Sequence, residues 1–298
     1  MRRIFALISI LSSLLAAADF TVDSKMVLVP VTVLDRQGAT VSGLPRDTFV
    51  VSQDNTPQHI ASFGEQDVPV SVGIVLDTSG SMARILTSAK SALTAFVKSA
   101  NPQDEAGLLT VSSRPGQDFG FTSDLNSLPE RAMFSEAAGS TALVDTIYAA
   151  VRQSRFAHNG RKALLIISDG MDNHSRYSKA ELMSAALEAD IQIYCVSIYN
   201  PPLTKKPTEL QEERDGQSFL EDLARRTGGI SEVARRDHDL ERATADIGRA
   251  MRDQYMIGYV SNGADSNGKW HSIRVDLRKA GLKKSGVKAW ARSGFYFR

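Results

Sequence analysis

Residues 70–81 read Val70-Ser71-Val72-Gly73-Ile74-Val75-Leu76-Asp77-Thr78-Ser79-Gly80-Ser81. A largely apolar run closes on an aspartate, and a turn rich in hydroxyls follows it. The next segment sets Ile85, Ala89, Leu93, Phe96 and Val97 at the three- and four-residue spacing of one helical face. Strand, turn and helix in that order form half of a βαβ unit, so the fold depends on whether the unit repeats.

It does. Leu108 to Val111 reads as a second strand, with Phe119 to Phe121 a possible short edge strand, and Leu143, Ile147, Ala150 and Val151 mark another helix. Ala163 to Ile167 is almost wholly apolar, as a parallel strand buried on both faces should be. Leu182, Ala186 and Ala189 give a helix and Ile191 to Ile198 a strand. A helix through Phe219, Leu223 and Ala224 stops at Gly228-Gly229, before a strand from Ile230 to Val233. A last helix carries Leu240, Ala243, Ile247, Ala250 and Met251. This alternation predicts an α/β fold over 67–253: a doubly wound, mostly parallel sheet with helices on both faces.

The flanks read differently. Val27 to Leu34, Thr48 to Ser52 and His59 to Phe63 alternate in strand fashion, separated by turns at Gln37-Gly38 and Asp54-Asn55. After the α/β region, Tyr255 to Val260, His271 to Leu277 and Val287 to Phe297 do the same. About three strands per flank are marginal for independent stability. Segments 19–66 and 254–298 are therefore expected to pair into one small all-β, sandwich-like domain; the alternative is that each flank extends or packs on the main sheet.

The chain has 298 residues with 42% hydrophobic content, enough for a sizeable core. Arg2 and Arg3, an apolar stretch from Ile4 to Leu15 and Ala16-Ala17-Ala18 read as a secretory signal peptide over 1–18. Its apolar run of about 12 residues falls short of the roughly 20 that span a bilayer as a lasting helix. Retention as an anchor is the alternative. Loss of the two arginines takes the formal net charge from +1 to −1, which argues against nucleic acid as a partner. The single cysteine, Cys195, alternates with apolar neighbours and reads as a buried small hydrophobe. The expectation is an exported protein of the periplasm, cell surface or medium, with no stable membrane span after signal cleavage.

The chemistry gathers at three turns. Asp77, Ser79 and Ser81 supply a carboxylate and two hydroxyls at the carboxyl end of a strand, where open α/β sheets bind ligands, and Gly80 lets that loop bend tightly. Gly139-Ser140-Thr141 precedes one helix, and Ser168-Asp169-Gly170 follows the buried strand. All offer oxygen donors suited to a hard cation. Alone, D-x-S-x-S could simply cap a helix.

Together these residues resemble the von Willebrand factor A domain family. Asp77, Ser79 and Ser81 match its D-x-S-x-S signature, Thr141 its second-loop threonine and Asp169 its third-loop aspartate, within a similarity covering residues 69 to 253. The resemblance implies a metal-ion-dependent adhesion site. The serines and threonine would hold Mg²⁺ (or Mn²⁺ or Ca²⁺) directly or through water, and the aspartates would bind the ion or its waters. An Asp or Glu of a protein partner would then fill the open position. The flanks, with Val31-Thr32-Val33 and Gly258-Tyr259, resemble the extensions of bacterial exported relatives. In relatives the last helix can slide when the metal site engages a ligand.

Asp145 falls one turn into a helix, where it favours the positive end, and it is set aside with Asp172. The loops Ser112 to Gly116, Met171 to Tyr177 and Asn200 to Gly216 should surround the ion. The last is charged and proline-rich, either solvated or specificity-determining, and His174 reads as exposed. An enzyme is the main rival class. The D-x-D of aspartyl phosphatases is absent because position 79 is serine, and there is no G-x-S-x-G elbow, H-E-x-x-H or phosphate loop. The expected function is metal-dependent capture of an acidic side chain on a partner protein, without catalysis. An envelope scaffold with a structural metal, or a Mg-dependent hydrolase, is the alternative.

Overall fold

The computed structural model describes residues 26–65, 68–113, 120–199, 207–261, 268–278 and 286–296. The expected signal segment 1–18 lies outside them. The amino-terminal flank forms β1 (Met26–Leu34), β2 (Phe49–Gln53), β3 (Thr56–Gln58) and β4 (Ile60–Glu65). Then β5 (Val70–Asp77), α1 (Leu86–Lys98), β6 (Glu105–Val111), α2 (Ser127–Met133), α3 (Leu143–Gln153) and β7 (Arg161–Ser168) follow. The α/β part closes with α4 (Lys179–Ala189), β8 (Gln192–Ile198), α5 (Pro207–Thr227), β9 (Ser231–Ala234) and α6 (Asp237–Arg252). The carboxyl-terminal flank gives β10 (Gln254–Val260), β11 (Trp270–Leu277), β12 (Lys288–Trp290) and β13 (Gly294–Tyr296).

Five strands in the order β6-β5-β7-β8-β9 form a wholly parallel sheet. Every residue of β5 is buried, which is why its sequence is a run of apolar and small residues without polar alternation. Side chains still point alternately. Val72, Ile74 and Leu76 face Leu93 and Phe96 of α1 and Ile247 and Met251 of α6. Val75 faces the opposite layer, with Ile147 of α3, Leu182 of α4 and Leu220 of α5. Cys195 is buried on β8, and burial pushes its thiol pKa up, as a small core hydrophobe requires.

The flanks interleave. One antiparallel sheet runs β12-β1-β10-β4 and the other β13-β11-β2-β3, so each mixes strands from both ends of the chain. Val27, Val29, Val31 and Val33 of β1 point inward at period two, to meet Phe49, Val51, Tyr255 and Ile257. The Phe49 and Tyr255 rings lie 4.8 Å apart. Asp54 and Asn55 both take positive φ in the two-residue hairpin between β2 and β3, as a primed turn demands.

Several expectations need correction. Residues 207–216 are not loop: α5 begins at Pro207, and only 200–206 of the expected Asn200 to Gly216 loop fall outside the described residues. Proline is favoured at a first helical turn, where its missing N–H costs nothing. The expected strand Val287 to Phe297 breaks at Ala291-Arg292-Ser293 into β12 and β13, which join different sheets; residue 297 lies outside the description. Phe119 also lies outside, and next to Phe121 an isolated bridge joins Thr122 to Ala106.

At the amino ends of the parallel strands the two parts lock together. Arg161 Nη2 donates to the Met251 carbonyl of α6 (2.7 Å) and to Gln254 Oε1 (2.6 Å). Gln254 Nε2 in turn donates to Thr32 Oγ1 of β1 (2.9 Å) and to the Tyr194 hydroxyl of β8 (3.0 Å). The carboxyl ends of the strands point the other way.

Candidate functional site

β5 pairs with β6 on one side and β7 on the other, and the strand order reverses there. Loops leaving neighbouring strands at such a point diverge to opposite faces and open a crevice. Asp77 ends β5 and Ser168 ends β7 at this edge.

Asp77 is fully buried. Its Oδ1 accepts the Ser79 N–H (2.9 Å) and its Oδ2 the Ser168 hydroxyl (2.5 Å). Asp169 is equally buried, with Oδ1 accepting the Met171 N–H at 3.1 Å. Burial and then the Asp169 charge push the Asp77 carboxyl up to about 6, against the hydrogen bonds from Ser168 and Ser79. The Ser79 and Ser81 hydroxyls are 3.1 Å apart. Between strand and helix the chain makes a single 3-10 turn, Gly80–Met82, anchored by the buried Met82, so α1 starts later than the motif suggests.

The second loop is tied to the first, since Gly80 N–H donates to Gly139 O (3.3 Å) and Ala138 N–H to Thr78 O (3.0 Å). Thr141 is buried, and Asn173 clamps it from both sides. The Asn173 Oδ1 accepts the Thr141 N–H (2.9 Å), while the N–H groups of Asn173 and His174 donate to Thr141 O, each at 3.0 Å. Gly139 sits at φ +79°, and a Cβ there would come within 2.9 Å of Ser113 Oγ. The Ser168–Asp77 bond ties the third loop to the first, so the three loops are joined pairwise. The structure thus brings Asp77, Ser79, Ser81 and Asp169 to one edge and fastens the Thr141 loop to them.

Ser168 and Asn173 are positioning residues that the sequence did not single out. Ser168 was legible in part, since it precedes Asp169; its hydroxyl also accepts the Gly170 N–H at 3.0 Å. Asn173 carried no signal, because its partner lies 32 positions away. Gly216 was missed as well. A Cβ on it would sit 1.8 Å from the Gly170 carbonyl oxygen, so α5 lies with bare backbone directly on the Asp169 loop. Asp145, set aside on sequence grounds, accepts the N–H groups of Arg176 and Tyr177 through Oδ1 (2.8 and 2.9 Å) and so braces the third loop. Asp172 keeps one buried oxygen, Oδ1, without a hydrogen-bond partner.

The donors are carboxylate and hydroxyl oxygens, the chemistry that hard divalent cations select. No three His, Cys, Asp or Glu side chains among the described residues are grouped to hold a metal. An ion here would depend on hydroxyls as well as on Asp77 and Asp169.

Fold and site together define the class: a doubly wound α/β domain with a hydroxyl-and-carboxylate cluster at its switch point, carried on a β-sandwich built from both termini. Residues 72–171, about a third of the chain, match the model of the von Willebrand factor type A domain. No curated protein matches the sequence. Among solved structures the chain is similar to a von Willebrand factor type A protein from Catenulispora acidiphila, at 13% identity, covering 93% of this chain and 74% of that one with a TM-score of 0.52. Proximal thread matrix protein 1 from the mussel byssus is 13% identical over 67% of this chain and 50% of its own, TM-score 0.50. BatB from Bacteroides thetaiotaomicron is 21% identical over 61% of this chain and 99% of its own, TM-score 0.48. At these identities the likeness to the first two speaks for the fold alone.

Proposed function

We propose that this protein is a metal-ion-dependent binding module that grips an acidic side chain of a partner protein. Asp77, Ser79, Ser81, Thr141 and Asp169 would hold one divalent cation, Mg²⁺ foremost. A bound cation would supply a Lewis-acid coordination position for an anionic oxygen. The observation that supports this most is the pairing of two buried carboxylates, Asp77 and Asp169, which raise each other's cost beside the Ser79 and Ser168 hydroxyls. Two carboxylates balance the charge of a divalent ion without exceeding it, which leaves the ion receptive to a further anion. The partner's Asp or Glu would be that anion. Meanwhile Ser168 and Asn173 hold the loops in place, so that little ordering is left to be done on binding. The apolar leader Ile4 to Leu15 supports export to the periplasm, cell surface or medium.

Water proton relaxation of the Mn²⁺-loaded protein tests this reading. A Gly-Gly-Asp-Gly-Gly peptide with acetylated and amidated ends should displace metal-bound water and lower the relaxation rate, whereas the equally blocked Asn counterpart should leave it unchanged. Equal effects of both peptides, or Mn²⁺ binding by Asp77→Ala equal to that of the unaltered chain, would sink it.

A further inference from the structure

Beside the candidate site, the face made by α3 and α4 carries a trough of about 890 Å³ that begins at Ser113 and His174. Both belong to the site's framework: Ser113 Oγ accepts the Ser140 N–H (3.3 Å), and His174 N–H donates to Thr141 O (3.0 Å). From that rim the trough passes the stacked rings of Tyr148 and Tyr177, 4.0 Å apart with planes at 14°. It then continues past Arg152 into a second hollow of about 350 Å³ that reaches Arg155 and Lys162. Tyr148 and Arg152 line both hollows, so the two form one track.

The track grows more basic away from the rim. Near the rim the carboxylates are turned toward local donors: Asp145 toward two backbone N–H groups, and Glu181 Oε2 toward the N–H (2.8 Å) and hydroxyl (2.7 Å) of Ser178. At the far end Arg152, Arg155 and Lys162 share the wall with a single carboxylate, Glu188. Tyr177, 41% exposed, offers its ring to a chain lying along the track.

We propose that this track receives an acidic, extended segment of the same protein partner that presents a carboxylate to the candidate metal site; the inference rests on the metal-dependent reading above. The eleven residues of α3 set the scale. At 1.5 Å per residue the helix covers about 16 Å, a distance that an extended chain crosses in about five residues. The partner therefore carries a second acidic group about five positions from the one bound at the metal.

Fluorescence anisotropy of a labelled octa-aspartate peptide tests this, with octa-asparagine as the neutral probe. Octa-aspartate should bind weakly in EDTA, lose affinity as salt is raised, and bind more tightly in Mg²⁺. Arg152 and Arg155 are exposed, so the double variant Arg152→Ala/Arg155→Ala should fold normally. It should weaken octa-aspartate binding about ten-fold in both conditions and keep any Mg²⁺-induced rise in melting temperature. Unchanged affinity in the double variant, or equal binding of octa-asparagine, would overturn the track. Dependence on Arg152 and Arg155 in EDTA with no response to Mg²⁺ would uphold the track and remove the metal reading alone.

Discussion

Asp77 carries the sharpest conflict in the molecule. Its carboxylate lies at the end of a strand buried throughout, facing the like charge of Asp169, with hydrogen bonds from Ser79 and Ser168 as its compensation. A group so placed lowers stability unless a cation joins it. In EDTA at neutral pH, Asp77→Asn should therefore be more stable than the unaltered chain, by on the order of 2 kcal/mol in urea unfolding. A loss of stability would mean that the carboxylate is structural in its own right. Sequence made this residue legible because Asp77-x-Ser79-x-Ser81 stands with Thr141 and Asp169 at turns on one edge of the sheet, whereas alone it could have capped a helix. It left Asn173 illegible, since an asparagine in a polar loop declares nothing about a threonine backbone that it clamps from a distant loop.

At the level of elements, α5 and the start of β6 show where pattern reading stops. Pro207, Glu209, Glu212, Glu213 and Gly216 suggested a loop, solvated or specificity-determining, yet they form the first half of a helix whose Gly216 lies on the Gly170 carbonyl. Propensity alone says that alanine for a mid-helix glycine stabilises by about 0.5–1 kcal/mol. Packing says the reverse, because a Cβ at 1.8 Å from backbone must push the helix off the Asp169 loop. Gly216→Ala should cost about 3 kcal/mol in denaturant unfolding, and stabilisation would refute the contact. At the opposite pole, Glu105 of β6 accepts the Ser71 hydroxyl (2.6 Å), the His158 N–H (2.6 Å) and the His158 ring nitrogen Nδ1 (2.7 Å). Burial alone would raise its pKa, but these bonds hold it below the ordinary carboxylate value. A lowered folded pKa contributes stability that is present above the ordinary value and lost as pH falls through the folded one. Glu105→Gln should thus cost about 1 kcal/mol at neutral pH, with the difference shrinking in acid below about pH 4. A constant difference across that range would count against the linkage.

Across the whole molecule, β-sandwich and candidate site occupy opposite ends of one parallel sheet. The sandwich needs both chain ends, with β10 between β1 and β4 and β11 between β2 and β13. Pairing of the two flanks was legible because neither has strands enough to stand alone, whereas the splitting of Val287 to Phe297 between sheets was not, since a corner at Ala291-Arg292-Ser293 leaves no mark on a strand pattern. α6 and β10, joined through Asp253 and locked by Arg161 and Gln254, connect the two ends. Ion binding at the far edge should stabilise this assembly as one unit, because a ligand that binds only the native state raises stability by mass action. The decisive measurement is the melting temperature in EDTA and in Mg²⁺, Mn²⁺ and Ca²⁺, for the unaltered chain and for Asp77→Ala. The account predicts a rise of about 5 °C at an ion concentration about a hundred times its Kd, absent from Asp77→Ala. An unmoved melting temperature with every ion, or an equal rise in both chains, would contradict metal binding at Asp77, Ser79, Ser81, Thr141 and Asp169 and turn attention to the β-sandwich.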